Sequence, residues 1–235
     1  MRLQNQSTDT ESLRGKLVYA FGDSIVYGHT HPEISFMRLI EEQEGIRLVM
    51  MAVNGATIVR GNNDVITQIE GAPAEEPDII LLEGYTNDAY SSPENDTNYK
   101  PGRRDVLKIL GEQKGPGGSD FDPDTFCGGF ENVLHTVRTR WPHAKVLYVT
   151  IHRSGGRDMN IQMTLRRLAT EMCENWGVKV LDMFDYVNPE GKRLDTTDPA
   201  QMEHYIIDGH GSHPNRFACD EFYVPAVKAA LREMV

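Results

Sequence analysis

The sequence predicts an open α/β fold, a parallel sheet of five strands covered on both faces by helices. Short apolar runs recur along the chain, stretches with apolar residues at helical spacing separate them, and Gly or Pro stands at most boundaries. Alternation of this kind is the signature of a parallel sheet whose crossovers are helical and right-handed.

Residues 17–21 (LVYAF) form the first apolar run and stop at Gly22. Residues 34–44 carry Ile34, Met37, Leu39 and Ile40 at helical spacing, and Gly45 closes them. A second buried strand is read at 47–53, a short helix at 63–70 and a third strand at 77–83. Helix 130–141 ends just before Pro142, and strand 145–151 follows. Residues 158–176 make a long amphipathic helix stopped by Gly177, and 178–183 make the fifth strand. A last helical stretch, 215–234, is expected to kink or restart at Pro225. One domain spanning 1–235 is expected, with a polar extension over 1–15. Residues 89–124, rich in Gly, Pro, Asn and Asp, read as an insertion, either a lid over the site or a plain surface excursion.

Composition narrows the function. Acidic residues number 35 against 24 basic ones, a formal charge of −11. That balance disfavours a nucleic-acid partner and docking on anionic lipid. Cys127, Cys173 and Cys219 are far apart and lack metal or disulfide spacing, so they read as small buried residues. The first sixteen residues hold no apolar run, and no stretch has the length of a membrane helix. A cytoplasmic protein without stable membrane association is expected, or a secreted one if a signal has been removed. Oligomeric state is not legible.

In parallel sheets, ligands bind beyond the carboxyl ends of the strands. Four polar clusters fall there. Gly22-Asp23-Ser24-Ile25 follows the first strand, where a serine opening a helix has free N–H groups beside its hydroxyl. Asn54-Gly55-Ala56-Thr57 follows the second, where glycine lets an N–H approach a ligand. Glu83 to Asp88 (EGYTND) follows the third and offers the Asn87 amide. Asp208 to Asn215 (DGHGSHPN) precedes the last helix, with His213 as a base and an acid upstream. Each cluster alone reads as a cap or turn; together they supply a nucleophile, a base, an acid and further donors.

In these four blocks the chain resembles the SGNH hydrolases, also called GDSL-like esterases. The resemblance runs in family order from Leu17 to the final helix. It implies a flavodoxin-like three-layer α/β/α domain and a serine ester hydrolase needing no metal or organic cofactor. It implies Ser24 as nucleophile, His213 as base and Asp208 as third triad member. Ser24 N–H, Gly55 N–H and the Asn87 amide would form the oxyanion hole. Two features depart from the family pattern. Tyr85 stands where a second glycine is expected, so its ring or hydroxyl would contact the acyl or leaving group. Asp208 lies five residues before His213 instead of three, and His210 occupies the nearer position. Either Asp208 reaches through a longer loop, or a backbone carbonyl orients His213 and leaves a dyad.

Asp23, Tyr85, His152 and His210 are expected along the substrate cleft. His29 and His31 look like metal ligands, but no third ligand has suggestive spacing, and they read as loop residues near the pocket mouth. The expected substrate is a small-molecule ester with a short acyl group, for example an acetyl ester of a carbohydrate. The alternative is a lysophospholipase or thioesterase, with Val106, Leu107, Ile109 and Leu110 forming an acyl pocket. A non-catalytic flavodoxin-like binding protein is the reading from another class.

Overall fold

The structure, a computed structural model, describes residues 12–61, 63–89 and 105–235. Five strands form one parallel sheet: β1 (Leu17–Phe21), β2 (Arg47–Met50), β3 (Ile79–Glu83), β4 (Lys145–Val149) and β5 (Lys179–Leu181), in the order β2-β1-β3-β4-β5. Register is set by Val18 beside Ile79, Ile79 beside Lys145 and Leu147 beside Lys179. β1 and β3 are wholly buried, as apolar runs in the middle of a covered parallel sheet must be. The strands are shorter than the apolar runs, because a residue such as Ile151 stays buried beyond the last paired residue of its strand.

Helices α2 (Phe36–Glu44) and α8 (Val224–Arg232) pack together on one face. Helices α3 (Val65–Gly71), α4 (Phe126–Arg140) and α5 (Met159–Asn175) pack side by side on the other. Local chemistry starts each of the second group: Asp64, Thr125 and Asp158 accept hydrogen bonds from the N–H groups of Thr67, Gly128 and Ile161. Tyr19 and Phe21 of β1 meet Trp141 at the end of α4, with ring centroids 5.5 and 6.1 Å away.

Two points of the sequence reading need correction. Helix α6 (Pro199–Tyr205) is absent from the sequence reading, although Asp198 caps it and Pro199 opens it. The final stretch restarts at Pro225 as expected: helix α7 (Arg216–Ala218) passes into a π turn at Cys219–Tyr223, and α8 begins with Pro225 in its first turn, where a missing N–H costs little. The polar extension ends sooner than residue 15, since Leu13 is buried in the core and Gly15 N–H donates to Gly45 O.

The insertion divides. Residues 90–104 lie outside the described residues. Residues 105–124 pack down on the body of the domain. Val106 is buried, Ile109 and Leu110 pack against the core, and their carbonyls accept from Phe126 and Cys127 N–H. Glu131 of α4 receives the N–H groups of Lys114 and Gly115 at 2.7 Å. These apolar side chains are thus used in packing; Leu107 alone of the four stays exposed.

Candidate active site

The strand order reverses between β1 and β3, and the crevice beyond their carboxyl ends is where such sheets bind ligands. Ser24 opens the short helix α1 (Ser24–Tyr27) directly after β1. Asp23 caps that helix, its Oδ1 accepting Ile25 N–H at 2.7 Å. The N–H groups of Ser24 and Gly55 make no hydrogen bond among the described residues. Gly55 sits at φ +79°, a left-handed conformation that glycine adopts without a side-chain penalty, with open space where a Cβ would be.

His213 reaches this turn from the far end of the chain. Its Nε2 lies 2.8 Å from Ser24 Oγ, across 189 residues of sequence. Its Nδ1 hydrogen-bonds Asp208 Oδ2. A carboxylate only accepts, so Nδ1 carries the proton and Nε2 is left to accept from the serine hydroxyl. Asp208 therefore meets His213 despite the longer spacing. Ile207 N–H donates to His213 O, and residues 206 and 214 pair as an antiparallel bridge. The loop between them closes on itself and turns Asp208 back. Partial burial raises the Asp208 carboxyl, but the hydrogen bond and charge of His213, with the N–H of His210, outweigh it and hold the group down at about 2.

The loop is held from beneath. His152 Nε2 bonds Gly211 O at 3.1 Å, and Thr196 Oγ1 donates to the same carbonyl at 2.6 Å. Ser154 and Ser212 hydroxyls meet at 3.0 Å. His152 Nδ1 in turn meets the Tyr223 hydroxyl at 2.8 Å.

Of the residues expected along the substrate cleft, only His210 is exposed. Asp23, Tyr85 and His152 have no accessible surface and lie behind the wall instead of in it. Tyr85 adopts φ +142°, and its ring points into the core, away from any acyl group. Burial and the nearby carboxylates of Asp182 and Glu83 push its hydroxyl far up, so it stays protonated. Asn87 also departs from expectation. Its Nδ2 donates to Asp23 Oδ2 at 2.9 Å and to Ala56 O at 3.0 Å, so both amide hydrogens have partners. It ties three loops together, and an oxyanion could receive only a shared hydrogen. Asp88 beside it accepts the N–H groups of Ile58 and Val59, each at 2.9 Å, and fixes the second loop against the third.

The reading of the sequence did not connect His29 with His213. Their rings stack 3.7 Å apart, 10° from parallel. His29, Asp208 and His213 offer three possible ligand atoms within 4.8 Å of one another. Stacked rings keep their in-plane lone pairs side by side instead of convergent, a poor start for tetrahedral coordination. The arrangement suits proton transfer better than a resident cation. His31 is exposed and pairs with Glu33. Among the described residues no helix is long and apolar enough to cross a membrane.

Known proteins with this fold carry the comparison further. A protein from Lactobacillus plantarum superposes with a TM-score of 0.72 at 18% identity, covering 94% of this chain and 98% of its own. A GDSL-like lipase candidate from Bacteroides ovatus gives 0.64 at 16% identity, over 93% and 99%. A family two carbohydrate esterase from Clostridium thermocellum gives 0.59 at 12% identity, over 93% of this chain and 63% of its own. No curated protein sequence is detectably similar. At these identities the likeness speaks for the fold. The sequence profile of the GDSL-like lipase/acylhydrolase family matches residues 20–216, a span that runs from the end of β1 through the His213 loop. On that match this chain belongs to the GDSL-like lipase/acylhydrolase family, whose members are enzymes acting on ester bonds.

Proposed function

We propose that this protein hydrolyses carboxylic esters through an acyl-Ser24 intermediate. The observation that carries the reading is the 2.8 Å contact from Ser24 Oγ to His213 Nε2, with Asp208 on the opposite ring nitrogen. His213 takes the hydroxyl proton as Ser24 Oγ attacks the carbonyl carbon, and Asp208 stabilises the resulting imidazolium. The tetrahedral oxyanion accepts from Ser24 N–H and Gly55 N–H, with Asn87 sharing one of its hydrogens. The imidazolium then protonates the leaving alkoxide. Water, deprotonated by His213, attacks the acyl-enzyme and releases the acid.

A short acyl group is the favoured substrate. Val106, Ile109 and Leu110, the apolar residues that could have lined a long-chain pocket, are used in packing against the core. The fold is shared with a carbohydrate esterase, which is compatible with an acetylated sugar. Two measurements test the proposal. A fluorophosphonate probe is expected to label wild-type protein and spare Ser24→Ala. Across p-nitrophenyl esters, kcat/KM is expected to fall steeply beyond acetyl. Labelling elsewhere than Ser24 removes the mechanism, whereas a preference for long chains removes only the substrate class.

A further inference from the structure

Beneath the nucleophile turn lies a buried carboxyl that the mechanism above leaves unused. Glu83 is the last residue of β3 and is 2% exposed. Its Oε2 accepts Asp23 N–H at 3.1 Å, and its Oε1 accepts the Thr86 hydroxyl at 3.3 Å. A Cβ placed on Gly22 would come within 2.8 Å of Oε2, so the glycine before Asp23 makes room for Glu83 under the turn. Gln68 of α3 fixes the same glycine from another side, exchanging two hydrogen bonds with its N–H and C=O at 3.0 and 2.8 Å. The carboxyl thus has a built position.

Asp23 links Glu83 to the reacting groups. Its Oδ1 holds the first turn of the helix that carries Ser24, and its Oδ2 holds the Asn87 amide. We propose that Glu83 is a positioning residue for acyl transfer: by accepting Asp23 N–H it fixes Asp23 and, through it, the Ser24 turn and the Asn87 amide. This rests on the serine mechanism proposed above.

The electrostatics follow from the geometry. Two carboxyl groups buried in contact do not both ionise. Asp23 receives charge-stabilising N–H donors from Ile25 and Asn87, so it is the member that carries the charge. Burial and the Asp23 charge raise Glu83 well above the usual carboxylate range, and the shared proton stays on it. A neutral Glu83 still accepts Asp23 N–H and adds no second charge beneath the turn. A second negative charge so near would oppose the oxyanion outright.

The experiment compares Glu83→Leu with Glu83→Gln on p-nitrophenyl acetate, each rate expressed per site titrated by the fluorophosphonate. The glutamine carbonyl can accept Asp23 N–H as Glu83 Oε2 does, and leucine cannot. Glu83→Gln is therefore expected to keep kcat within a few-fold of wild type. Glu83→Leu is expected to lose about 10- to 100-fold in kcat with KM nearly unchanged, somewhat less than deletion of an oxyanion donor. Wild-type kcat in Glu83→Leu, or equal losses in both variants, overturns the proposal. If Glu83→Leu does not fold, Glu83→Asp replaces it, since its retracted carboxyl misplaces Asp23. It is expected to lower kcat about 10-fold at unchanged KM, and wild-type turnover in it overturns the proposal equally. Ser24→Ala separates the two readings. An active Ser24→Ala sinks the serine mechanism; an inactive one beside an unimpaired Glu83→Leu sinks only the role of Glu83.

Discussion

Asp208 and His213 face one another across a closed loop, although five positions separate them in the chain. The bridge between residues 206 and 214 brings the loop ends together, and His210 N–H donates to Asp208 Oδ1 at 3.1 Å within it. The carboxylate is thereby oriented from both of its oxygens. One fixes the loop and the other fixes the imidazole tautomer.

Replacing that carboxylate with an amide should therefore damage turnover more than folding. In Asp208→Asn the amide can present N–H to Nδ1 and so favour the wrong tautomer, with the proton on Nε2 facing Ser24. We expect kcat to fall by about 10³–10⁴ with little change in melting temperature. A variant with near-wild-type kcat would mean that His213 works without its carboxylate. Because Asp208 stays ionised down to about pH 2, its protonation should cause no loss of activity above about pH 4.

His152 predicts an acid-sensitive stability. Burial pushes its imidazole down to about 4 from an ordinary 6.5. Its contacts fit only the neutral ring, with Nε2–H on Gly211 O and Nδ1 accepting from Tyr223. The unfolded chain therefore binds a proton near pH 6.5 that the native protein refuses until about pH 4. Stability is full above pH 6.5, declines as pH falls through this window, and levels below it. The loss is at most about 3 kcal/mol. Urea unfolding followed from pH 7.5 to 4 should show this slope. His152→Gln should start less stable and flatten it, and an unchanged slope would assign the proton elsewhere.

Gly156 sits where the chain after β4 passes under the His213 loop. A Cβ there would fall 1.8 Å from His210 O, a backbone atom that cannot swing aside. Gly156→Ala must push the loop outward, carrying Asp208 and His213 with it. A destabilisation of about 1–3 kcal/mol is expected, with kcat falling at least about 10-fold, as misplaced catalytic groups do. The control is Gly117→Ala, where nothing lies within 4 Å of the added carbon. If both variants behave as wild type, the loop is less tightly seated than these contacts imply.

The fold was legible in the sequence through strong local signals. Apolar runs bounded by glycine gave the five strands, and their alternation with helices gave the parallel order. The meeting of Ser24 with His213 was legible only from the four clusters taken together and their family likeness, since each cluster alone reads as a cap or turn. Helix α6 was missed because its seven residues present almost no apolar stripe, only a capping Asp198 and an opening Pro199. The burial of Tyr85 and His152 was not legible because strand-end position says nothing about which way a side chain turns. Tyr85 takes a positive φ that rotates its ring inward, and His152 is drawn down by Tyr223, 71 residues later. Glu83 reads in sequence as a polar strand end, and only the sheet reveals it under Asp23.

The stacking of His29 on His213 gives the last prediction. His29 has φ +54°, a left-handed conformation that Asn adopts readily, and its carbonyl accepts from Asn54 Nδ2 at 3.1 Å. Its ring covers one face of the His213 imidazole at 3.7 Å and limits how far His213 can tilt from the line joining Ser24 to Asp208. His29→Asn keeps the backbone conformation and removes the ring, while His29→Phe keeps a flat face without a titratable nitrogen. If stacking is what matters, His29→Asn should lose about 3- to 10-fold in kcat, in line with about 0.5–1.5 kcal/mol for a ring pair, and His29→Phe should lose less. Steady-state kinetics on p-nitrophenyl acetate distinguishes the cases. Equal losses in both variants would mean that His29 acts through its nitrogens, and the stacked ring would then be incidental to turnover.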